Sequence, residues 1–432
     1  MSNFTPAWFK KGFFNESLFC DDFLSSHQLL YSNGAFFTPD GRMVDPMPLR
    51  CEIFEMMREY VGANLAKKVT NVVDVLKLAA QVEDFPPVTD RIALANGTLH
   101  LDDTFQEGKP EIVRNRLPVR YDPKAPQPVH WLRFLSDLLY PEDIPTVQEF
   151  IGYCLIPSNK GQRMMVIKGS GGEGKSQIGV VLSQLFGCNM KDGSIGKISE
   201  NRFARADLEH TLLCVDDDMR MEALRQTNYV KSIVTAQGQM DLERKGKQSY
   251  QGWMYARLLA FSNGDLQALY DRSDGFYRRQ LILTTKDKPA DRTDDPFLVE
   301  KMCAELEGIL LWCLEGLHRL VQNDFRFTVS ERAAANVDTI KRSSNNVIDF
   351  MESEGYFRFK ADYSISSKEF YDIYKQWCED NACHSVSAIR FSAELRQNDR
   401  RYNLEATNNI YLPGSRRVRG FVGIEPLVHP CS

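Results

Sequence analysis

Residues Met164 to Ser176 read MMVIKGSGGEGKS: a short apolar run, a glycine-rich loop, and a Lys-Ser pair that opens a helical stretch reaching Phe186. Nothing else in the chain restricts the fold as strongly. Gly169, Gly171, Gly172 and Gly174 allow successive backbone N–H groups to turn toward one point, where the positive end of the following helix adds to them. The segment Gly169, Ser170, Gly171, Gly172, Glu173, Gly174, Lys175 and Ser176 is therefore expected to cradle the phosphates of ATP or a related nucleotide. Lys175 would reach the β- and γ-phosphates, and the Ser176 hydroxyl would ligate Mg²⁺.

Further strand candidates follow at Leu212 to Val215, Arg257 to Phe261 and Gln280 to Leu283. Strands alternating with helices predict an α/β fold with a mostly parallel sheet. The first of these strands ends in Asp216, Asp217 and Asp218. Chemistry on a nucleotide triphosphate needs one carboxylate to hold Mg²⁺ and another to orient the attacking water. Asp216 and Asp217 fit those roles. Aspartate reaches less far than the commoner glutamate, so Asp218 stays open as the alternative to Asp217. Asn263 ends the second strand, where an amide can position the γ-phosphate and the water. Arg278 and Arg279 precede the third, and one of them could serve a neighbouring subunit as an arginine finger; an ordinary surface pair is the competing reading. Between acids and amide, MDLERKGKQSYQ (240–251) has the pattern of a hairpin whose tip exposes Arg244, Lys245 and Lys247. Such a tip can contact DNA phosphates without reading sequence, or be a solvated loop.

Around this centre the chain divides near residues 125 and 335. Residues 1–125 are expected to form a mixed, mostly helical domain, with helices over 49–61 and 69–82 and a hairpin turning at Asn96-Gly97; the first 35 residues are aromatic-rich and give no clear pattern. Residues 126–335 hold the α/β core, with helices over 130–139 and 144–154. Residues 336–432 are expected to have a winged-helix order: a helix capped by Ser366 with Glu369, a second over 388–396, and strands at 410–412 and 420–424. The net charge is −5, yet Arg390, Arg396, Arg400, Arg401, Arg416, Arg417 and Arg419 crowd one stretch. A local basic face on an acidic chain suits a protein with one part that meets nucleic acid. The ten cysteines show no zinc-ligand spacing, and no apolar run is long enough for a membrane span. A cytoplasmic setting without a membrane partner is the expectation.

Taken together, these pieces resemble superfamily 3 helicases, in particular the primase-associated helicases of phages and plasmids related to poxvirus primase-helicases. NGTLHLD (97–103), RYDPKAP (120–126), VQEFIGYCL (147–155), the glycine-loop block, KQSYQGWMYARLLAFSNGDL, DGFYRRQLIL (Asp274 onward), ELEGILLWCLEGLHRL (305–320), FYDIYKQWCEDN and RRVRGFVGI carry the resemblance, over roughly residues 85 to 425. It implies an AAA+-like ATPase core using ATP and Mg²⁺, with Asn263 as sensor and Arg279, or else Arg278, as the finger. It implies that Lys245 and Lys247 grip single-stranded DNA inside a ring, usually a hexamer, moving 3′ to 5′. Arg416, Arg417 and Arg419 would contact duplex or origin DNA. Single-stranded and forked DNA, further copies of the chain and a separate primase or polymerase are the implied partners, because no primase motif is evident. A DNA-binding initiator or defence-type NTPase that switches assembly state without unwinding is the alternative.

Overall fold

The computed structural model describes residues 5–428, apart from 33, 39–42, 84, 86, 109–112, 220–226, 247, 264–273, 290–294, 345, 382, 384 and 412–416. At its centre lie five parallel strands: β1 (Met164–Lys168), β2 (Met190–Asp192), β3 (Leu213–Asp216), β4 (Arg257–Ser262) and β5 (Gln280–Thr284). Their spatial order is β5-β1-β4-β3-β2. All but the short edge strand β2 read as largely apolar runs because helices and loops cover both faces of the sheet there. The pleat then divides each run by alternate residues. Met165, Ile167, Leu213, Val215, Leu259, Phe261, Leu281 and Leu283 enter one apolar cluster. Met164, Val166, Cys214, Leu258, Ala260 and Ile282 enter the other.

On the first face, helix Ile144–Tyr153 packs against helix Leu306–Gln322. Glycine from each side allows the approach. A Cβ on Gly152 would lie 2.3 Å from the Cys313 carbonyl oxygen, and one on Gly316 would lie 2.3 Å from that of Gln148. Gly152→Ala must therefore push the helices apart. Overpacking of this kind costs about 2 kcal/mol, or a fall of roughly 4–8 °C in Tm. An unchanged thermal unfolding curve would show that the pair separates freely. The C-terminal end of the first helix is tied to the sheet by Arg257, which is 1% exposed. Its guanidinium donates to the carbonyls of Cys154 (2.6 Å), Tyr255 (2.5 Å) and Ser158 (3.4 Å). A cation at a helix's carbonyl end is favourably placed against the helix dipole.

The hairpin near residue 96 forms between Arg91–Leu94 and Gly97–His100. Its turn is Ala95-Asn96, not the expected Asn96-Gly97. Gly97 belongs to a strand that the third strand, Phe105–Glu107, approaches closely: a Cβ there would lie 2.2 Å from the Gln106 carbonyl oxygen. Ile92, Leu94, Leu99, Leu117 and Val119 share the apolar cluster of the central sheet, so side chains on both sides of residue 125 pack together. The preceding helices, Glu16–His27, Pro46–Arg58 and Leu65–Ala79, have a cluster of their own around Phe19, Phe23, Ile53 and Val72.

Toward the C-terminus, Phe357–Ser366, Arg417–Pro426 and Glu405–Tyr411 form an antiparallel sheet with Arg417–Pro426 in the middle. Helices Ser367–Asp380 and Ala388–Gln397 accompany it. The Ser366 hydroxyl accepts from the Glu369 N–H at 3.1 Å, as the cap signal requires. Phe370, Ile373, Tyr374 and Trp377 are buried on the expected face. Strand Phe357–Ser366 was not expected. Among the described residues, no helix is long and apolar enough to cross a membrane.

Candidate nucleotide-binding site

The glycine loop leaves the carboxyl end of β1 and runs into helix Ser176–Phe186. Gly171, Gly172 and Gly174 have φ of 106°, 82° and 101°, values that other residues adopt only under strain. Their turns make a concavity of N–H groups, and an anion already lies in it. The Glu173 carboxylate accepts from the N–H groups of Ser170 (2.5 Å) and Gly171 (2.8 Å) through Oε1. Its Oε2 lies 2.7 Å from Lys175 Nζ. Glu173 and Lys175 are 3% and 5% exposed. Burial pushes the Glu173 carboxyl up, but bonds from Lys175 and the loop N–H groups outweigh it and hold the pKa below the usual range. Gly169 is equally constrained: a Cβ there would meet Lys175 Nζ and Thr285 Oγ1, each at 2.6 Å.

The strand order arranges what faces this loop. Next to β1 stands β4, which puts Asn263 beside the loop; a Cβ on Gly171 would lie 4.0 Å from Asn263 Cγ. One strand further, β3 brings Asp216 and Asp217 to the rim. Ser176, Asp216 and Asp217 line one cleft, together with Asp192 and Ser194. Asp216 is 7% exposed and accepts from the Ile195 N–H at 2.7 Å through Oδ2. Burial is the main cause of its raised pKa; the Ile195 bond opposes it, and Asp218 and Asp217 add repulsion. A divalent cation between Ser176 and these carboxylates would relieve that cost, so the donor set fits Mg²⁺.

The arginines lie elsewhere. Arg278 and Arg279 precede β5, whereas the loop follows the opposite end of the parallel neighbour β1. Five residues of strand, about 16 Å, separate the two edges. Arg278 is exposed, and its carbonyl accepts from the Arg163 guanidinium. Arg279 is half-buried and turned back to the Gly275 carbonyl; burial, and Arg278 beside it, lower its pKa.

The basic hairpin is formed by Gly238–Leu242 and Tyr250–Met254. Lys245 is exposed at its tip, and Lys247 lies outside the described residues. Arg244 is exposed, as expected, and it also has partners. Its Nε donates to Tyr250 Oη at 2.9 Å and its Nη2 to Glu209 at 3.0 Å, while Tyr250 Oη donates to Glu209 at 2.7 Å. This network braces the hairpin. Glu209 lies three residues before Leu212, too far from the motif for sequence reading to pair it with Arg244. Arg417 and Arg419 are exposed on the middle C-terminal strand, and Arg416 lies outside the described residues.

Comparison with known proteins adds a partial family match and a likeness of fold. Residues 167–279 match a family described only as of unknown function, DUF5906. The match runs from the end of β1 to Arg279. No curated protein matches. Among solved structures, the chain is similar to the apo structure of the NrS-1 C terminal region (305–718), at 12% identity and a TM-score of 0.54, covering 94% of this chain and 98% of that one. The A form apo structure of the same region gives 12% identity and a TM-score of 0.50, with 90% and 87% covered. At that identity the likeness concerns the fold, and it extends over nearly the whole chain.

Proposed function

We propose that the chain is a ring-forming, ATP-dependent DNA helicase with a P-loop ATPase core and a C-terminal winged helix. One observation carries this reading: a buried anion cradle with Lys175 at its centre, facing Asn263 and the cleft of Ser176, Asp216 and Asp217. ATP would supply the triphosphate and Mg²⁺ the charge that offsets the leaving group. Gly169 to Ser176 would bind them, Asp216 would hold the metal through water, Asp217 or Asp218 would orient the attacking water, and Asn263 would sense the γ-phosphate.

The distance of Arg278 and Arg279 from their own cradle favours action on a neighbouring subunit's nucleotide, which makes a ring of copies the natural assembly. Arg279 bonds within its own segment, so the exposed Arg278 has the better reach. The hairpin joins β4 at the edge where the arginines lie, and Lys245 with Lys247 would there hold the phosphates of one DNA strand. Arg416, Arg417 and Arg419 would meet duplex or forked DNA, with a separate primase or polymerase as the functional partner.

The test is strand separation of a forked duplex by purified protein with ATP and Mg²⁺. Lys245→Ala combined with Lys247→Ala should reduce unwinding at least about tenfold, as expected for lost phosphate contacts, and leave DNA-independent hydrolysis intact. DNA-stimulated hydrolysis without any strand separation would instead support an assembly switch.

A further inference from the structure

Glu173 lies inside the site that it helps to form. Among the described residues it is the one anionic side chain in contact with the loop N–H groups, and it pairs with Lys175 as well. A carboxylate and a phosphate ask for the same partners: converging N–H donors and a cation. Both cannot occupy them together. The two oxygens of Glu173 divide the work as two phosphate oxygens would, one on the backbone and one on the ammonium. The side chain is also sealed in, at 3% exposed, so it fills the concavity rather than lying across its mouth.

We infer that Glu173 is an internal phosphate surrogate, which keeps the loop and Lys175 in binding geometry without nucleotide and must be expelled before a triphosphate can enter. The inference rests on the nucleotide reading above and adds an affinity-setting residue to it. Three consequences follow from the exchange. The free loop keeps its shape, because the Ser170 and Gly171 N–H groups and the Lys175 ammonium are satisfied. Nucleotide affinity is lowered by the strength of the Glu173 contacts. Entry becomes a two-step event, in which the carboxylate leaves before the phosphates seat.

The last two consequences are measurable on different proteins. Titration of a ribose-labelled fluorescent ATP into wild type, Glu173→Gln and Glu173→Ala should show both variants binding about tenfold or more tightly, the factor set by losing a charge-assisted competitor. On the wild type alone, rapid mixing should give an observed association rate that levels off with nucleotide concentration, at the rate of carboxylate release. This second measurement needs no variant to fold.

Wild-type binding with variants no tighter, or a rate that rises linearly throughout, would overturn the surrogate and leave the nucleotide site standing. If neither wild type nor variants bind ATP or inorganic pyrophosphate, the nucleotide reading itself fails and the surrogate goes with it. The two failures are thus distinguishable in one set of titrations.

Discussion

Lys175→Ala is expected to remove nucleotide binding at working concentrations and to reduce hydrolysis by about 10²–10³-fold or more, the loss typical of a single preorganised electrostatic group in a catalytic site. The reason is the position of Nζ. It is the cation seen against the cradle's anion, 2.7 Å from Glu173, on a residue 5% exposed. In so dry a site its attraction to a phosphate is little screened. Truncation also leaves the Glu173 carboxylate without its counter-charge, so a stability loss has to be separated from a binding loss. Lys175→Met keeps the aliphatic stem and serves as the control. Equal loss of binding in both variants, with Tm in the methionine variant within a few degrees of wild type, assigns the effect to charge. Retained binding in Lys175→Met would remove the lysine from the phosphate site. Titration of labelled ATP and phosphate release give both readouts.

Asp216→Asn should separate hydrolysis from binding. The bond from the Ile195 N–H to Oδ2 can be kept by the asparagine carbonyl, so the turn between β3 and its neighbours survives. The negative charge does not survive, and on the proposed reading it is the charge that would recruit Mg²⁺ to the cleft shared with Ser176. Hydrolysis should fall by about 10²–10³-fold, in line with loss of a metal's charge stabilisation. Binding of ATP in the presence of EDTA should stay close to wild type. Removing a charge whose pKa is raised by burial and by Asp217 and Asp218 also makes some gain in stability a reasonable companion result. Undiminished hydrolysis would transfer the metal-holding role to Asp217 or Asp218.

The elements that were legible in the sequence are those whose burial is local and one-dimensional. β1, β3, β4 and β5 are covered on both faces, so each reads as an uninterrupted apolar run and falls within a residue or two of its expected limits. The edge strand β2 has only three residues, Met190–Asp192, two of them exposed, and shows no such run. Phe357–Ser366 was missed for a related reason, since most of its length is exposed and only its ends are buried. At the N-terminus the core depends on edge-to-face contacts between distant rings. Trp8 stands 5.1 Å from both Phe19 and Tyr60, a pairing that no periodicity encodes.

For the candidate site, the sequence identified the glycine loop, the acids and Asn263, because each closes a strand or opens a helix. It did not reveal how the side chains pair. That Glu173 would turn inward depends on the loop's three left-handed glycines acting together. That Arg244 would brace the hairpin depends on Glu209, which approaches only when the chain is folded.

The hairpin strand Tyr250–Met254 passes into β4 with only Tyr255 and Ala256 between them, and β4 ends beside Asn263. The basic tip and Asn263 therefore lie toward the two ends of one nearly continuous stretch of extended chain. Arg257 anchors the stretch near its middle, pinned to the carbonyls of Cys154 and Ser158. On the proposed reading, the nucleotide and the DNA strand would act on opposite ends of this one stretch of chain, whose middle is fixed in the sheet between β1 and β3.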